Sequence, residues 1–544
     1  MTATSDYLKY LPPVLWEDSG SSEFSLGAML RIFEKVLTGI DDGVSLAHGD
    51  HTHGPLTDEI ERRAGVFDPW AAPPEFLPWL ASLAGLDFPA PRGTDLWDEY
   101  QRRKVVAEIA KLHRLRGRKL GLSRYLDLLG AGQARVALDD GTRLLAVSPV
   151  PGRPAVVTGM VTKGPVVVGR EVRSEGVTRP WCVTTSPDGG LIVGDLGLPD
   201  GLAVQLKNRV WHLDASGNCD MAGAPPKPQP IAKTTLTLTR VVAVAVRKNP
   251  DTLYVLDRAG RLQAVPAPFR TGAATQVTSL VSGGTTLAPV AMVVDAAGDL
   301  LVLDRGDGPG TPNPPKIITV RPSPLAVTRT PLRTVREPLS LAVEPDGTLL
   351  IGDGGVQEPE NSAQFPGNLV KVDRKTPVWT ETTLLPAANP LVAPTGLART
   401  RDGVLYVLDA GLKPFSPSTT DPYICPVAEH AAVFRVDVTG RAERITEPGQ
   451  FVYPTGMVAD GDRLVVCDPG QPAGGWPAVD PRLLLTRVRP FQFDVVIHFA
   501  QPRLPPDPDA RRLALNRAVV TIRAIADRQK PAHTVWNLVT SIFS

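Results

Sequence analysis

Cysteine is nearly absent: Cys182, Cys219, Cys425 and Cys467 are the only four in 544 residues. So few, without metal-type spacing, exclude a disulfide framework, and the apolar runs around Cys182 and Cys467 predict buried free thiols. Long hydrophobic stretches are missing as well, and nothing reaches the roughly 18 apolar residues of a membrane-crossing helix. The chain does not start on a charged-then-apolar leader, so synthesis in the cytoplasm is expected. Charge of one sign is missing too. Lys and Arg total 58 against 57 for Asp and Glu, so no global field draws the protein to nucleic acid or membrane. A Gly-rich phosphate loop, zinc spacing and a nucleophile elbow are all absent.

What is plentiful is turn-forming residues, 55 Pro and 49 Gly. From Pro180 to Asp468 they punctuate one pattern repeated six times: a lead-in, an apolar strand, a polar turn, and a second apolar strand ending in Asp. The copy Pro338-Leu339-Ser340-Leu341-Ala342-Val343 with Leu349-Leu350-Ile351-Gly352-Asp353 is the clearest. The closing residues Asp195, Asp257, Asp304, Asp353, Asp409 and Asp468 are 62, 47, 49, 56 and 59 residues apart. A period of about 40–50 residues with several strands per unit marks a propeller blade. Asp-Gly pairs such as Asp346-Gly347 predict two-residue hairpin turns. Third strands follow at Arg209–Asp214, Lys316–Val320, Leu369–Asp373 and Val433–Asp437. The fold class read here is mainly β with α+β: a six-bladed β-propeller set into a split α+β domain.

Ahead of the repeats, residues 1–23 read as an extended leader. Leu26, Met29, Leu30, Phe33, Val36, Leu37 and Ile40 then form one apolar helical stripe. His48-Gly49-Asp50-His51-Thr52-His53 invites a metal reading, but its Gly and Pro flanks favour a solvated loop. A proline-loaded lead-in opens a short helix with Phe76, Leu77, Leu80 and Leu83 on one side. A longer helix from about Leu96 to Arg116 is basic on its other face (Arg102, Arg103, Lys104, Lys111, Arg114). No aromatics interleave there, which favours an acidic protein partner over nucleic acid. Within 131–178, Val-rich pieces such as Arg135–Leu138 and Pro165–Gly169 connect to the first repeat, and one of them is expected to complete the last. Strands are expected at Leu484–Arg489 and Phe491–Phe499, then a helix through Gln529.

The order Pro74-Glu75-Phe76-Leu77-Pro78-Trp79, Arg102-Arg103, Arg116-Gly117-Arg118 and, near the end, Lys530-Pro531-Ala532-His533-Thr534 resembles the phage tail protein I family. The repeats between resemble an NHL-like propeller. The family usually has Arg-Gly-Thr where this chain has Arg116-Gly117-Arg118. The resemblance implies a baseplate wedge subunit of a contractile tail or injection system, interrupted by an insertion. It marks Glu75, Trp79, Arg103, Arg116, Gly117, Lys530, Pro531 and His533 as fold and interface positions. The implied domains are 1–150 and 486–544 for the two halves and 151–485 for the propeller. Implied partners are other wedge subunits, hub and sheath proteins, with an envelope or host-surface ligand for the propeller. The implied place of action is a tail-like particle.

Six repeated aspartates read as structural, since a residue placed alike in every unit does the same thing each time. Among the strand lead-ins only Glu337 is acidic, too little for the Ca²⁺ of a lactonase-like propeller. No catalytic residue, cofactor or metal is therefore expected. The alternatives are a propeller hydrolase or lyase, or a glycan-binding propeller, targeted by the flanking domain.

Overall fold

The computed structural model describes residues 5–16, 25–40, 46–48, 51–53, 55–86, 88, 99–130, 134–161, 165–168, 171–174, 176–197, 208–222, 227–281, 287–308, 311–354, 356–357, 364–376, 378–411, 430–470, 492–500 and 504–543. They fall into two compact units, Met1–Arg114 and Leu115–Ser544. The expected strand Leu484–Arg489 and Cys425 lie outside the described residues.

The first unit is helical. It holds α1 (Leu26–Leu37), α2 (Leu56–Arg62), α3 (Leu77–Leu83) and α4 (Glu99–Arg114). Ser25 caps α1 by accepting from Ala28 N at 3.1 Å. The leader is not extended: it folds into 3₁₀ turns at Asp6–Tyr10 and Pro13–Leu15. The reason is local hydrogen bonding. Ser5 Oγ accepts from Tyr7 N and donates to Glu34 Oε2 at 2.6 Å, which ties the leader to α1. Residues 46–53, read as a loop, contain a two-stranded hairpin with His48 opposite His51. Gly117, at φ +77°, ends the turn that follows α4, and α5 (Lys119–Gly130) begins two residues later, inside the second unit.

The second unit is mainly β and propeller-like, built of small antiparallel sheets. Six of them carry the repeats. Their inner strands are Pro180–Thr185, Val241–Arg247, Pro289–Val294, Pro338–Val343, Pro394–Arg399 and Gly456–Asp460. Each inner strand lies against the next, and the sixth lies against the first. Apolar side chains fill the gaps: Leu301 and Leu303 of the third sheet share a core with Leu341, Ile351 and Val370 of the fourth. Burial on both faces is why these strands lack polar alternation.

The first five inner strands share an irregularity. Register slips just after the first residue, as between Pro338 and Ser340 opposite Asp353 and Gly352. Four of the five start on proline, which has no N–H to give a ladder, so a bulge there costs little. The sixth sheet makes the two-residue reversal expected, Asp460 pairing with Arg463 across Gly461-Asp462, whereas the turns at Asp188-Gly189, Asp346-Gly347 and Asp402-Gly403 are longer. Val343 pairs with Leu349, Gly347 N donates to Glu344 O at 2.9 Å, and Gly347 takes the left-handed position at φ +83°.

The boundaries at 150 and 485 need correction on the amino-terminal side. Leu144–Val150 is the third strand of the sixth sheet, paired with Leu464–Cys467, and Arg153–Val161 is the fourth. Arg135–Leu138 instead belongs to a three-stranded sheet of Ala134–Asp139, Gln492–Ala500 and Val535–Phe543. The last two run parallel and are joined through α6 (Pro508–Gln529), a βαβ crossover. Among the described residues, Pro165–Val168 pairs only with Glu171–Ser174. The two ends of the second unit thus meet twice, in the sixth sheet and in the three-stranded one.

Candidate functional site

The tail-like motif positions build a defined surface in the first unit. Prolines 73 and 74 start a 3₁₀ turn that runs into α3, whose Leu77, Leu80 and Ala81 are buried. Trp79 and Phe76 face outward with their rings edge to face at 6.4 Å, and Phe67 lies 5.9 Å from Trp79. Trp70 packs on Tyr100 of α4 at 5.6 Å. All stay substantially open: Phe67 65%, Trp70 50%, Trp79 44% and Tyr100 59%. Glu75 is exposed at the same turn. Aromatic side chains gathered on a surface in this way mark contact sites.

Arg103 fixes that surface. Its Nη1 donates to Pro69 O at 2.7 Å, Trp70 O at 3.2 Å and Ala72 O at 2.8 Å, while Nε donates to Glu99 Oε1 at 2.8 Å. One guanidinium therefore holds the turn that presents Trp70 against α4. The His113 ring nitrogen, 2.6 Å from Ala84 O, holds the other end of α3. Arg103→Met should leave three carbonyls unpaired and cost about 2–4 kcal/mol in the first unit. Limited proteolysis near residue 70 checks this, and cleavage no faster than in wild type would refute it.

The remaining motif residues are in the second unit. Arg116 is exposed, its Nη2 3.5 Å from Arg528 O. Lys530 closes α6: its Nζ donates to Thr534 O at 2.9 Å, and Pro531 O accepts from Thr534 Oγ1 at 2.7 Å. His533 is exposed in that reversal, which turns the helix into the last strand. Helix α5 binds the loop after the fifth sheet. Arg124 makes a two-point ion pair with Glu447 (Nε to Oε2 3.1 Å), and Ser123 Oγ donates to Pro448 O. The motif residues are thus divided between the two units, Glu75, Trp79 and Arg103 in the first and the others in the second. Phe67, Trp70 and Tyr100 had no sequence signal beyond the density of aromatics around Trp79.

The six closing aspartates repeat one arrangement. Asp409 accepts from Val392, Ala393 and Gly411 N at 2.7, 3.0 and 2.6 Å. Asp468 accepts from Val452, Tyr453 and Gly470 N. Asp195 takes Thr178, Arg179 and Gly197 N plus the indole of Trp211, and Asp304 takes Ala288 and Gly306 N. Asp257 adds an ion pair with Arg261 at 2.8 Å. Asp353 accepts from Arg336 and Glu337 N. Each carboxylate bridges the lead-in of an inner strand to the end of its partner.

Burial pushes Asp353 up from 3.8 to about 6, against the pull of those N–H donors, with Glu337 adding to the rise. A raised pKa means the folded state holds a proton that the unfolded state has lost between these values. Stability from this group is therefore present at low pH and lost as pH climbs to about 6. Wild type should lose about 2 kcal/mol more than Asp353→Asn between pH 4 and 6. Urea melts at the two pH values test this, and parallel losses would contradict it.

Sequence reasoning also missed a buried network in the first sheet. His212 Nδ1 lies 3.0 Å from Asp220 Oδ2, its Nε2 is 3.2 Å from Asp188 Oδ1, and Asp220 also pairs with Arg270. Glu337 is buried and paired with Arg305 at 3.1 Å. Among the described residues no group of three His, Cys, Asp or Glu is disposed to hold a metal, and no helix is long and apolar enough to cross a membrane. Cys182, Cys219 and Cys467 are free thiols.

Residues 51–139 match the model of the phage tail protein family (Tail_P2_I). This segment is a phage tail protein domain. It runs from the second hairpin strand through α2 to α5 and ends with Asp139, so it contains the Arg103 clamp and the aromatic surface. No curated protein is similar enough to match the chain. Among solved structures, a streptogramin B lyase is 12% identical, covering 60% of this chain and 98% of its own, at a TM-score of 0.33. The calcium-binding protein regucalcin of Agrobacterium tumefaciens is 16% identical over 55% and 80%, at 0.35. The periplasmic gluconolactonase PpgL of Pseudomonas aeruginosa is 14% identical over 58% and 98%, at 0.32. At these scores none lends its chemistry to the tail-domain chain.

Proposed function

We propose that the protein is a structural baseplate wedge component of a contractile injection system or phage-like tail, working by contact and not by catalysis. The observation that carries this is the aromatic surface of the tail domain, held open by Arg103 within residues 51–139. The apolar face of α1 supports it. Met29, Ile32, Phe33 and Leu37 are exposed, although their spacing suits a core, so a further subunit completes the layer. The partners are neighbouring wedge subunits, together with hub and sheath proteins of the same particle. The sixfold succession of sheets is read as a closed six-bladed propeller inserted into the split domain. It serves as an added recognition surface once the particle leaves the producing cell.

The test is co-purification. Wild-type protein should sediment with the intact particle from the producing cell, and Trp70→Ala/Trp79→Ala should reduce that fraction tenfold or more at unchanged melting temperature. Wild type recovered only as a free monomer would defeat the proposal.

A further inference from the structure

All six repeat sheets bring two positions to one end: the residue before the inner strand and the residue after the closing aspartate. A backbone bond joins them in each of the first five sheets; in the fourth, Gly354 N donates to Glu337 O at 2.7 Å. Leu196 N donates to Arg179 O at 3.0 Å, Arg258 N to Arg240 O at 2.8 Å, and Arg305 N to Ala288 O at 3.0 Å. Three consecutive sheets therefore place Arg179, Arg240, Arg258 and Arg305 around the same end. The fifth sheet places Ala393 and Ala410 there, and the sixth Tyr453. The inner strand of the sixth sheet adjoins that of the first, and Thr455 Oγ1 donates to Trp181 O at 2.7 Å. The Arg240 guanidinium stacks 4.8 Å from the Trp181 ring centre. Trp181, Arg240, Arg258 and Tyr453 thus form one cluster built from three different sheets.

The nearby acids are already engaged. Asp257 is paired with Arg261 at 2.8 Å, Asp304 with Lys316 at 3.2 Å, and Glu337 with Arg305. Asp195 and Asp468 are taken up by backbone N–H groups. Among the described residues, neither Arg240 nor Arg258 has an ion-pair partner. Burial, and secondarily the facing Arg258, lowers the Arg240 pKa. A guanidinium stacked on an indole and joined through the backbone to a second arginine, neither ion-paired among the described residues, suits an oxyanion. Guanidinium forks match carboxylate and phosphate geometry, and the half-buried setting strengthens the attraction.

We infer that Arg240 and Arg258, with Trp181 and Tyr453, form an oxyanion-binding site at the mouth of the propeller channel. It accepts one carboxylate or phosphate group, carried by a free small anion or by an anionic polysaccharide. This rests on reading the six sheets as a closed propeller that serves for recognition, but not on assembly into a particle.

The test is calorimetric titration of the full chain at low salt with inorganic phosphate, glucuronate and polygalacturonate. At least one should bind, and Arg258→Gln and Arg240→Met should each weaken it tenfold or more. Arg321→Gln, which removes an exposed guanidinium paired with Asp299 away from this cluster, should leave it within twofold. Equal affinity per carboxylate for glucuronate and the polymer assigns the site to a free anion, and binding of the polymer alone assigns it to a polysaccharide. No binding of any probe, or unchanged binding by Arg258→Gln, overturns the inference. Arg258 is exposed, so its variant reads the site even if Arg240→Met fails to fold. Because the isolated chain is used, a negative result here leaves the co-purification test standing, and the reverse also holds.

Discussion

A fragment of residues 140–470 should fold by itself, whereas one of residues 151–485 should aggregate. The two differ chiefly in Leu144–Val150, which fills the sixth sheet between Leu464–Cys467 and Arg153–Val161. Leu144, Leu145, Ala146 and Val147 are all buried there. Losing them removes roughly 5 kcal/mol or more of apolar burial, at about 1.5–3 kcal/mol for each large side chain. That is comparable to the whole stability of an ordinary domain. It also uncovers the ladder edge of Leu464–Cys467, a template for aggregation. Size-exclusion chromatography with thermal melting decides the matter. Equal monomer yield and melting temperature for the two fragments would show that closure through this strand is unimportant.

Arg143→Met should be the most damaging single substitution of a charged residue in the second unit. Arg143 is buried where the three-stranded sheet hands over to the sixth, with Nη1 2.9 Å from Asp139 Oδ1. Its carbonyl accepts from Asp468 N at 2.8 Å. Gly470, at φ +71°, leaves room for the guanidinium; a Cβ there would sit 2.7 Å from Nη1. Removing the cation strands buried Asp139 near buried Asp468, and breaking such a pair costs about 3–5 kcal/mol. Burial already raises the Asp468 pKa, Arg143 opposes that rise, and Asp139 adds to it. Without Arg143 the pKa climbs further, so the penalty should be larger at pH 8 than at pH 5. Urea denaturation at both pH values measures this. A loss under about 1 kcal/mol, or one independent of pH, would contradict the argument.

The repeats were readable because strand period and closing aspartates coincide six times over, with Asp-Gly turns in four of the six. Their register was not, since the leading proline permits a slip without requiring one, and Val241 slips without a proline. The end of the amino-terminal half was misplaced for a physical reason. Val136–Leu138 and Leu144–Val147 are both apolar runs, and long-range pairing sends one to Gln492–Ala500 and the other to Leu464–Cys467. Trp79 and Arg103 were found through motif order. The role of Arg103 was invisible, because its partners are backbone carbonyls more than thirty residues away, and carbonyls carry no sequence signature.

The pairing of Ala134–Asp139 with Gln492–Ala500 also bears on how the chain is made. Ribosomes add about 5–20 residues per second, so the earlier strand waits roughly 20–70 s for its neighbour. Throughout that interval Val136 and Leu138, buried in the finished molecule, face water. The three-stranded sheet therefore cannot form until translation is nearly finished, and before then α5 is the neighbour against which this strand can pack.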